Sequence, residues 1–336
     1  MSGPVLLVSD IWEGDPSAPS ETVFEEDMPM LQEVEDISVW LRTAGYDVQI
    51  EKRVSSLLGS YSLSRFGIVF PLWRAGSSRN RTAIVPAICE EQGVPYIGGD
   101  ALVQAACQDK SLSKAFIREA GLSCPQDFVV RSVEDIPSLQ LPSNLKPPVV
   151  VKPLYSACSI GVDDTSLCRS VLQIRDKAVQ LFQAGLGPVI CEEFVGGDEV
   201  CLCIVEESGK IIARCASAYR GSDGKCPFAD DLLTFERKIQ PYPPWSITDV
   251  SSSVSDEIWS GVGKLVKNLG KVDLLRVDGR LQNGRFIVVE LTPDIHLGTA
   301  SPFLGGFQAS GIEPRFVLDV VVKSSLANQR KSLAFS

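Results

Sequence analysis

The sequence predicts a mixed α/β (α+β) protein, and three observations support this fold class. The chain has 336 residues, which is enough for two or three domains of ordinary size. Short apolar strands alternate with amphipathic helices through the first part of the chain, a pattern typical of an open, mostly parallel sheet. After residue 198 the apolar segments occur as pairs joined by tight turns, which indicates antiparallel hairpins.

The composition indicates a globular protein, since 44% of the residues are hydrophobic and 22% are charged. The 32 basic and 42 acidic residues give a net charge of −10, which argues against a nucleic acid or an anionic membrane as the main partner. No apolar run approaches the ~20 residues of a membrane span. The N-terminus lacks a basic segment followed by a long apolar one, so we expect no secretory signal.

The cysteines and the histidine restrict the chemistry further. Ten cysteines occur without a CxxC pair, and we expect reduced, mostly buried thiols in a cytoplasmic protein. Cys201 and Cys203 share a strand face, but no histidine or second cysteine pair accompanies them, so we expect no structural zinc. His296 is the only histidine, and we therefore expect neither a histidine-based catalytic triad nor a histidine-rich metal site.

The N-terminal elements follow from apolar periodicity. The predicted strands are Pro4–Ser9, Tyr46–Glu51 and Phe66–Leu72, and the predicted helices are Met28–Ala44 and Arg81–Gln92. In open parallel sheets ligands bind beyond the carboxyl ends of the strands, and Trp73 and Arg74 follow the third strand. Arg74 is either a solvated loop arginine or a clamp for a substrate carboxylate.

The pattern changes around Gly98. The predicted helices that follow are Asp100–Cys107, Lys110–Ala120 and Arg169–Ala184, and the predicted strands are Phe128–Arg131, Val149–Lys152 and Gly187–Phe194. Lys152 ends a buried strand, and a loop of small residues that contains Cys158 and Ser159 comes next. Small residues let backbone N–H groups approach a phosphate, and the lysine adds a charge, although the loop could also be a plain β-turn.

The strand that ends at Phe194 could present backbone groups to the edge of a nucleobase. Glu199 could then accept hydrogen bonds from ribose hydroxyls, whereas the alternative for both Glu193 and Glu199 is a solvated loop. Three more elements are predicted: a hairpin of Glu199–Val205 and Lys210–Ser217, a helix over Asp256–Asn268 and a helical segment over Ile312–Ser325. The irregular stretch Tyr219–Ser246 carries Lys238, and we interpret it as a lid, because such long runs in compact domains are usually functional.

A second hairpin carries the most specific constellation of charges. Leu274–Leu281 and Arg285–Leu291 read as strands, with a turn at Gln282-Asn283-Gly284. Arg276 and Asp278 share one face of the first strand, and Glu290 can come opposite Asp278. Two carboxylates among apolar neighbours are unfavourable unless a positive charge lies between them, and oxygen ligands of this kind suit magnesium. The alternative is an ordinary amphipathic hairpin with a salt-bridged arginine.

Taken in order, these motifs resemble the ATP-grasp superfamily, and most closely the D-alanine–D-alanine ligase family of carboxylate–amine ligases. The resemblance is strong from Val94 to Ser301 and rests on VPYIGGDALVQAACQDK, VVVKPLYSACSIGV, ICEEFVGGDEV and LLRVDGRL…FIVVELT. It implies an ATP-grasp fold of three domains, with ATP bound between the central and C-terminal domains. The implied boundaries are 1–98, 99–192 and 193–336, with a lid over 219–246 and a metal-binding, catalytic hairpin over 274–292.

Carried over residue by residue, the resemblance also implies a site. ATP would contact Lys110, Lys152, Glu192, Glu193, Val195, Glu199 and Lys238. Mg²⁺, or Mn²⁺ in its place, would be held by Asp278, Glu290 and Thr292. The catalytic groups would be Arg276, Lys238, Cys158 and Ser159. The amino-acid substrates would contact Ser301 and, near the N-terminus, Glu26. Trp73, Arg74 and His296 stand where this sequence departs from the family pattern, and we expect them to contact the substrates as well.

The departures from the family pattern are concentrated in the substrate region. The family's glycine-rich turn after the first strand is replaced by DIWEGDPSAPS, and its histidine-containing segment by PLWRAGSSRNR. The small loop reads Ser156-Ala157-Cys158-Ser159 where the family shows E-G-S-S, and Ile295-His296 stands in place of Pro-Gly. Thr292 replaces the asparagine of the family's E-x-N, and its hydroxyl is a poorer metal ligand, which puts a second metal ion in doubt.

The sequence therefore predicts an ATP-dependent ligase that forms an amide or dipeptide bond through an acyl-phosphate and releases ADP and phosphate. We expect amino-acid substrates other than two D-alanines and a role in specialised biosynthesis. The alternatives are a non-catalytic nucleotide-binding ATP-grasp protein, a true D-alanine–D-alanine ligase, and a kinase that phosphorylates a hydroxyl. The resemblance also implies a homodimer through the first domain.

Overall fold

The computed structural model describes residues 3–11, 31–58, 62–76, 78–238, 243–298 and 301–332. Within these ranges the strands form three sheets, of three, four and five strands. None of the helices in the described ranges is long and apolar enough to cross a membrane. The predicted contact at Glu26 lies outside the described residues.

The first sheet is parallel, as the alternation of strands and helices predicts. Its elements are β1 (Val5–Val8), α1 (Leu31–Thr43), β2 (Val48–Glu51), β3 (Ile68–Pro71) and α2 (Ile84–Glu91). The strand order is β2-β1-β3, with β1 parallel to both neighbours. The predicted start of α1 at Met28 falls outside the described ranges. Trp73 and Arg74 follow the carboxyl end of β3, the edge at which ligands bind in such sheets.

The second sheet is antiparallel and holds the small loop. Its elements are α3 (Ala101–Gln108), α4 (Lys110–Glu119), β4 (Asp127–Val130), β5 (Val149–Pro153), β6 (Leu167–Cys168), α5 (Val171–Gln183) and β7 (Val189–Glu193), and the strand order is β4-β7-β5-β6. Asp109 caps α4, since its side chain accepts hydrogen bonds from the backbone N–H groups of Ser111 and Leu112. This cap begins a new helix directly after α3 and places Lys110 in the first turn of α4.

The third sheet has five antiparallel strands in the order β10-β9-β8-β11-β12. Its elements are β8 (Asp198–Glu207), β9 (Lys210–Gly221), α6 (Phe235–Lys238), β10 (Trp245–Asp249), α7 (Asp256–Leu269), β11 (Leu274–Gln282), β12 (Arg285–Thr292), α8 (Pro302–Ala309) and α9 (Pro314–Ser332). One face, with Leu202 and Ile204, packs on α7. The other face, with Cys203, shares a core with α1, α8 and α9, so the first and third sheets are joined by one hydrophobic cluster.

The predicted secondary structure differs from the structure at two places. The irregular stretch predicted from Tyr219 to Ser246 is too long at both ends, because β9 runs to Gly221 and β10 begins at Trp245. Tyr219 and Trp245 pack edge-to-face on Phe228, which fixes this pairing through side chains distant in sequence. Helix α8 was not predicted; Ser301 caps it and proline is its first residue. The domain boundaries and the lid remain predictions.

Candidate active site

In the hairpin of β11 and β12, Asp278 lies opposite Glu290, as the sequence analysis expected. A β-bulge between Asp278 and Gly279 sets this part of the register, which also places Arg276 opposite Thr292. The guanidinium of Arg276 donates to both oxygens of Asp278, at 2.7 Å from Nε and 2.8 Å from Nη2. The hydroxyl of Thr292 donates to Asp278 Oδ2 at 3.1 Å. Burial opposes the charge of Asp278, but Arg276 outweighs it and holds the pKa of the carboxyl below its usual range.

Lys110 joins this hairpin to the small loop. Its Nζ atom lies 3.3 Å from Glu290 Oε1 and also donates to the backbone carbonyl of Ser156. Burial lowers the pKa of the Lys110 ammonium, and the nearby Glu290 only partly offsets that effect. The prediction that Lys110 and Glu290 belong to one site is consistent with this contact, although no role follows from it alone.

Lys152 and Glu192 lie on one face of the second sheet, because Glu192 is the register partner of Val150, two residues before Lys152. Glu192 is buried and accepts from both Lys152 and Lys114, the latter at 2.8 Å. Burial would raise the pKa of Glu192, but the two ammonium groups lower it to about 2. The side chain of Glu192 is therefore engaged within the protein. Lys114, which the sequence analysis did not select, completes this network.

The segment after β7 contains a backbone N–H group that has no protein acceptor among the described residues. Glu193 is exposed, whereas Val195 is half-buried. Phe194 donates its N–H to the carbonyl of Pro148 at 3.1 Å, but among the described residues no protein group accepts from the N–H of Val195. Glu199 is half-buried at the start of β8, and its Oε2 atom lies 3.2 Å from Nη2 of Arg280.

Lys238 is exposed at the end of α6, and it lies close enough to Asp278 to contribute to lowering the pKa of that carboxyl. Two hydrogen bonds connect the segment around α6 to the small loop. Ser159 Oγ donates to the carbonyl of Leu233 at 2.9 Å, and Phe235 donates its N–H to the carbonyl of Val162 at 3.4 Å. The candidate lid and the small loop are thus in contact.

The small loop also brings a cysteine to the histidine. Cys158 and Ser159 have φ angles of 54° and 63°, the left-handed region that non-glycine residues seldom adopt. Cys158 Sγ lies 3.0 Å from Nε2 of His296, and Nδ1 of His296 lies 3.0 Å from Oε2 of Glu33. Glu33 also accepts from the backbone N–H of Leu297 at 2.6 Å. The sequence analysis did not expect this row of thiol, imidazole and carboxylate, in which one imidazole contacts a partner through each of its two nitrogens.

The pKa of Glu33 is lowered to about 2, because the nearby His296 and Arg74 and the hydrogen bond from Leu297 outweigh the effect of burial. The sequence analysis missed this residue. Glu33 lies four positions before Ile37 and therefore on the buried stripe of α1. A glutamate on the apolar face of a predicted helix is a sequence signal for a functional or ion-paired residue, and it could have been used here.

Arg74 is not a solvated loop arginine, because it is buried with 2% exposure. Its guanidinium donates to the carbonyls of Asp294 and Ile295, at 3.2 Å and 2.8 Å from Nη2, and its backbone N–H donates to the carboxylate of Asp10. These contacts hold the segment after β12 against the first sheet. Trp73 is half-buried and packs against the hydrophobic cluster that includes Leu6 and Val69 of the first sheet.

Ser301 is buried at the N-terminus of α8, where its hydroxyl accepts from the N–H of Leu304 at 3.4 Å. Residues 299–300 before it are outside the described ranges. The same hydroxyl retains a proton to donate, which suits the predicted contact with a substrate carboxylate but does not test it.

The donor set at the hairpin fits a metal ion that arrives with phosphates. No group of three or more His, Cys, Asp or Glu side chains within the described ranges could hold a metal ion. Asp278 and Glu290 nevertheless supply two facing carboxylates, with the hydroxyl of Thr292 beside them. Mg²⁺ is commonly held by one or two carboxylates together with substrate phosphates and waters, so these residues suit a nucleotide-bound Mg²⁺.

The fold defines the class of the protein. The D-alanine–D-alanine ligase of Bacillus anthracis complexed with ATP superimposes with a TM-score of 0.69 at 17% identity, covering 99% of this chain and 100% of that one. The VanG D-Ala:D-Ser ligase of Enterococcus faecalis also gives a TM-score of 0.69 at 17% identity, covering 97% and 100%. The chain therefore has the ATP-grasp fold, which confirms the predicted fold class.

The sequence comparison identifies the family. The family described as D-ala D-ala ligase C-terminus matches residues 116–323, and the chain belongs to it. The D-alanine–D-alanine ligase of Mycolicibacterium vanbaalenii is 28% identical over 272 residues, which cover 79% of this chain and 71% of the relative. D-alanine–D-alanine ligase A of Bacillus cereus is 23% identical over 245 residues, covering 72% and 75%. The predicted enzyme class, an ATP-grasp ligase that forms C–N bonds, is confirmed.

Proposed function

We propose that the chain activates a carboxylate with ATP as an acyl-phosphate and transfers the acyl group to an amine, forming an amide or dipeptide bond. One observation carries this proposal: Asp278 and Glu290 face each other across β11 and β12, and each is paired with a cation, Arg276 or Lys110. A buried charged set of this kind is unfavourable without a function that requires it. This argues against a non-catalytic nucleotide-binding protein.

The ATP site in this proposal lies between the second and third sheets. Lys110, Lys152 and Lys238 are the cations for the phosphates. The N–H of Val195 and the neighbouring carbonyl of Glu193 suit the edge of an adenine, and Glu199 suits the ribose hydroxyls. When bound, Mg²⁺ at Asp278 and Glu290 would neutralise charge on the phosphates.

The chemistry in this proposal has two steps. A carboxylate oxygen attacks the γ-phosphorus, the bond to the bridging oxygen breaks, and ADP leaves. The amine then attacks the acyl carbon and phosphate leaves. Arg276 lies beside the hairpin carboxylates and would stabilise the negative charge that develops in both steps. Closure of the Lys238 segment over the small loop would exclude water, which otherwise hydrolyses the acyl-phosphate.

We further propose that the substrates are not two D-alanines and that the product is a specialised metabolite. In this chain Arg74 and Trp73 occupy the region of the family's histidine segment, and the guanidinium of Arg74 is engaged with backbone carbonyls. Cys158 and His296 add side chains that the family pattern lacks. A true D-alanine–D-alanine ligase is the second candidate, because the relatives and structural neighbours carry that name.

The experiment is Mg²⁺-ATP turnover against a pairwise panel of L- and D-amino acids and small carboxylates. Phosphate release is followed, and products are identified by mass. Release that needs two partners, with a product at their summed mass less one water, supports the ligase. D-alanyl-D-alanine as the main product would establish the second candidate. Nucleotide binding without release for every pair would contradict the proposal.

A further inference from the structure

Cys158, His296 and Glu33 form a connected row of nucleophile, base and acid. Sγ of Cys158 lies 3.0 Å from Nε2 of His296, and Nδ1 lies 3.0 Å from Oε2 of Glu33. An ionised carboxylate can only accept a hydrogen bond, so Nδ1 carries a proton toward Glu33. In the neutral imidazole Nε2 then carries the lone pair that accepts the thiol proton. This is the arrangement of an activated cysteine whose base is oriented by an acid.

The carboxylate of Glu33 is stabilised in its ionised form. Glu33 is buried, and its second oxygen accepts from the N–H of Leu297 at 2.6 Å. Arg74 also lies beside the row. Its Nη1 atom is 3.4 Å from Nδ1 of His296, and its charge helps to lower the pKa of Glu33 to about 2. The carboxylate therefore stays ionised over the physiological range and fixes the orientation of the imidazole.

The row lies at the candidate active site. Cys158 follows Ser156 by two residues, and the carbonyl of Ser156 accepts from Lys110, the partner of Glu290. His296 follows the end of β12 by four residues. Cys158 and Cys124 are the two cysteines of the chain that are not fully buried. A partly accessible thiol beside a base is the environment that makes a cysteine nucleophilic.

We propose that Cys158 is a nucleophile of the ligase reaction, which accepts the acyl group from the acyl-phosphate as a thioester before the amine receives it. This inference rests on the proposed function, because that reaction supplies the acyl-phosphate. Sγ attacks the acyl carbon, the carbon–oxygen bond to phosphate breaks, and the thiol proton passes to Nε2 of His296. The amine nitrogen then attacks the thioester carbon and the carbon–sulfur bond breaks. The imidazolium returns its proton to sulfur, and the amine proton passes to solvent.

The step implies two substrates, a carboxylic acid and an amine, that react in separate half-reactions. The acid first acylates Cys158, and the amine then receives the acyl group. The thioester is a less energetic acyl donor than the acyl-phosphate but is still activated toward amines, and it hydrolyses more slowly, so ADP and phosphate leave before the amine binds. Glu33 is a positioning residue in this scheme, since it acts through His296.

The first test measures the thiol without any substrate. The full-length protein is alkylated with iodoacetamide between pH 5 and 9, and the labelled peptides are quantified by mass. We expect Cys158 to react at least ~10-fold faster at pH 6 in the wild type than in His296→Gln, because Nε2 of His296 takes the thiol proton. Glu33→Gln should also slow the reaction of Cys158, and the rate at Cys124 should be the same in all three proteins. A Cys158 rate that is unchanged in His296→Gln would overturn the inference.

The second test uses the productive carboxylate from the panel with Mg²⁺-ATP and without the amine. After acid quenching, the peptide that carries Cys158 should show the mass of the acyl group, and hydroxylamine should remove it. Cys158→Ala should lower kcat by at least ~100-fold, whereas Cys124→Ala should retain wild-type turnover. Product formation without the adduct, with turnover in Cys158→Ala near that of wild type, overturns the thioester and leaves the proposed ligase intact. Absence of phosphate release for every pair overturns both.

Discussion

Nζ of Lys110 lies 3.3 Å from Oε1 of Glu290, although Lys110 is the first residue of α4 and Glu290 belongs to β12. The same ammonium also donates to the carbonyl of Ser156. One buried cation thus links the second sheet, the small loop and the hairpin that carries Asp278. Because burial lowers the pKa of Lys110, its charge at this position depends on Glu290 and on any phosphate that binds there.

Arg276 should be required for turnover but not for nucleotide binding. Its guanidinium pairs with Asp278 and lies where negative charge develops, so Arg276→Ala should lower kcat by at least ~100-fold. The Kd for ATP, measured by calorimetry, should change by less than ~3-fold, because the lysines that meet the phosphates remain. Arg285→Ala, at an exposed position of the same hairpin, is the control. Unchanged turnover in Arg276→Ala would contradict the role assigned to this arginine.

Glu192 should contribute stability that is lost in acid. In the folded protein the pKa of this carboxyl is about 2, against an ordinary value of 4.5, which we take for the unfolded chain. The contribution of Glu192 to the free energy of unfolding is therefore fully present above pH 4.5 and disappears as the pH falls toward 2. The shift corresponds to about 3 kcal/mol as an upper figure. Urea unfolding of Glu192→Gln should therefore show reduced stability at pH 6 and a difference from wild type that shrinks between pH 4.5 and 2.

The control for this measurement is Glu193→Gln, since Glu193 is exposed on the other face of β7. That variant should retain the wild-type free energy of unfolding at every pH. A constant difference between Glu192→Gln and wild type across the acid range would show that the ion pairs with Lys114 and Lys152 do not set the pH dependence.

Sequence patterns predicted the local parts of this site. The hairpin of β11 and β12 follows from alternation of period two and from Asn283-Gly284, both of which have the positive φ angles that such a turn requires. The register of Asp278 against Glu290 does not follow from the turn alone, because a β-bulge between Asp278 and Gly279 shifts the pairing by one residue. The hairpin and its turn depend only on residues within one short segment, which is why the sequence sufficed for them.

Contacts between distant segments could not be predicted in this way. Glu33 and His296 are 263 positions apart, and the local sequence around neither residue indicates that the two side chains are in contact. Arg74 was expected in solvent or on a substrate, because its spacing does not show that two carbonyls near His296 accept from it. Strand β10 was missed for the same reason, since its pairing with β9 is fixed by the packing of Trp245 on Phe228.

Arg74 should be structural and not a contact to substrate. Arg74→Ala removes the donors to the carbonyls of Asp294 and Ile295, whereas the backbone N–H that donates to Asp10 remains. We expect a loss of about 2–4 kcal/mol in the free energy of unfolding, measured by urea denaturation. Arg79→Ala, at an exposed position, should have little effect. An Arg74→Ala protein of wild-type stability but raised KM for the carboxylate would instead indicate a substrate clamp.

Thr292 should limit the affinity for magnesium. Its hydroxyl donates to Asp278 Oδ2 at 3.1 Å, and a hydroxyl is a weaker ligand for Mg²⁺ than the amide oxygen that the family pattern has there. Thr292→Asn should lower the Mg²⁺ concentration for half-maximal turnover at fixed ATP by roughly 3- to 10-fold, a change of about 1 kcal/mol. Thr292→Val, which has the same shape without the hydroxyl, should raise that concentration. If both variants need the same Mg²⁺ concentration as wild type, residue 292 lies outside the coordination sphere and the metal is held by Asp278 and Glu290 with phosphates and water alone.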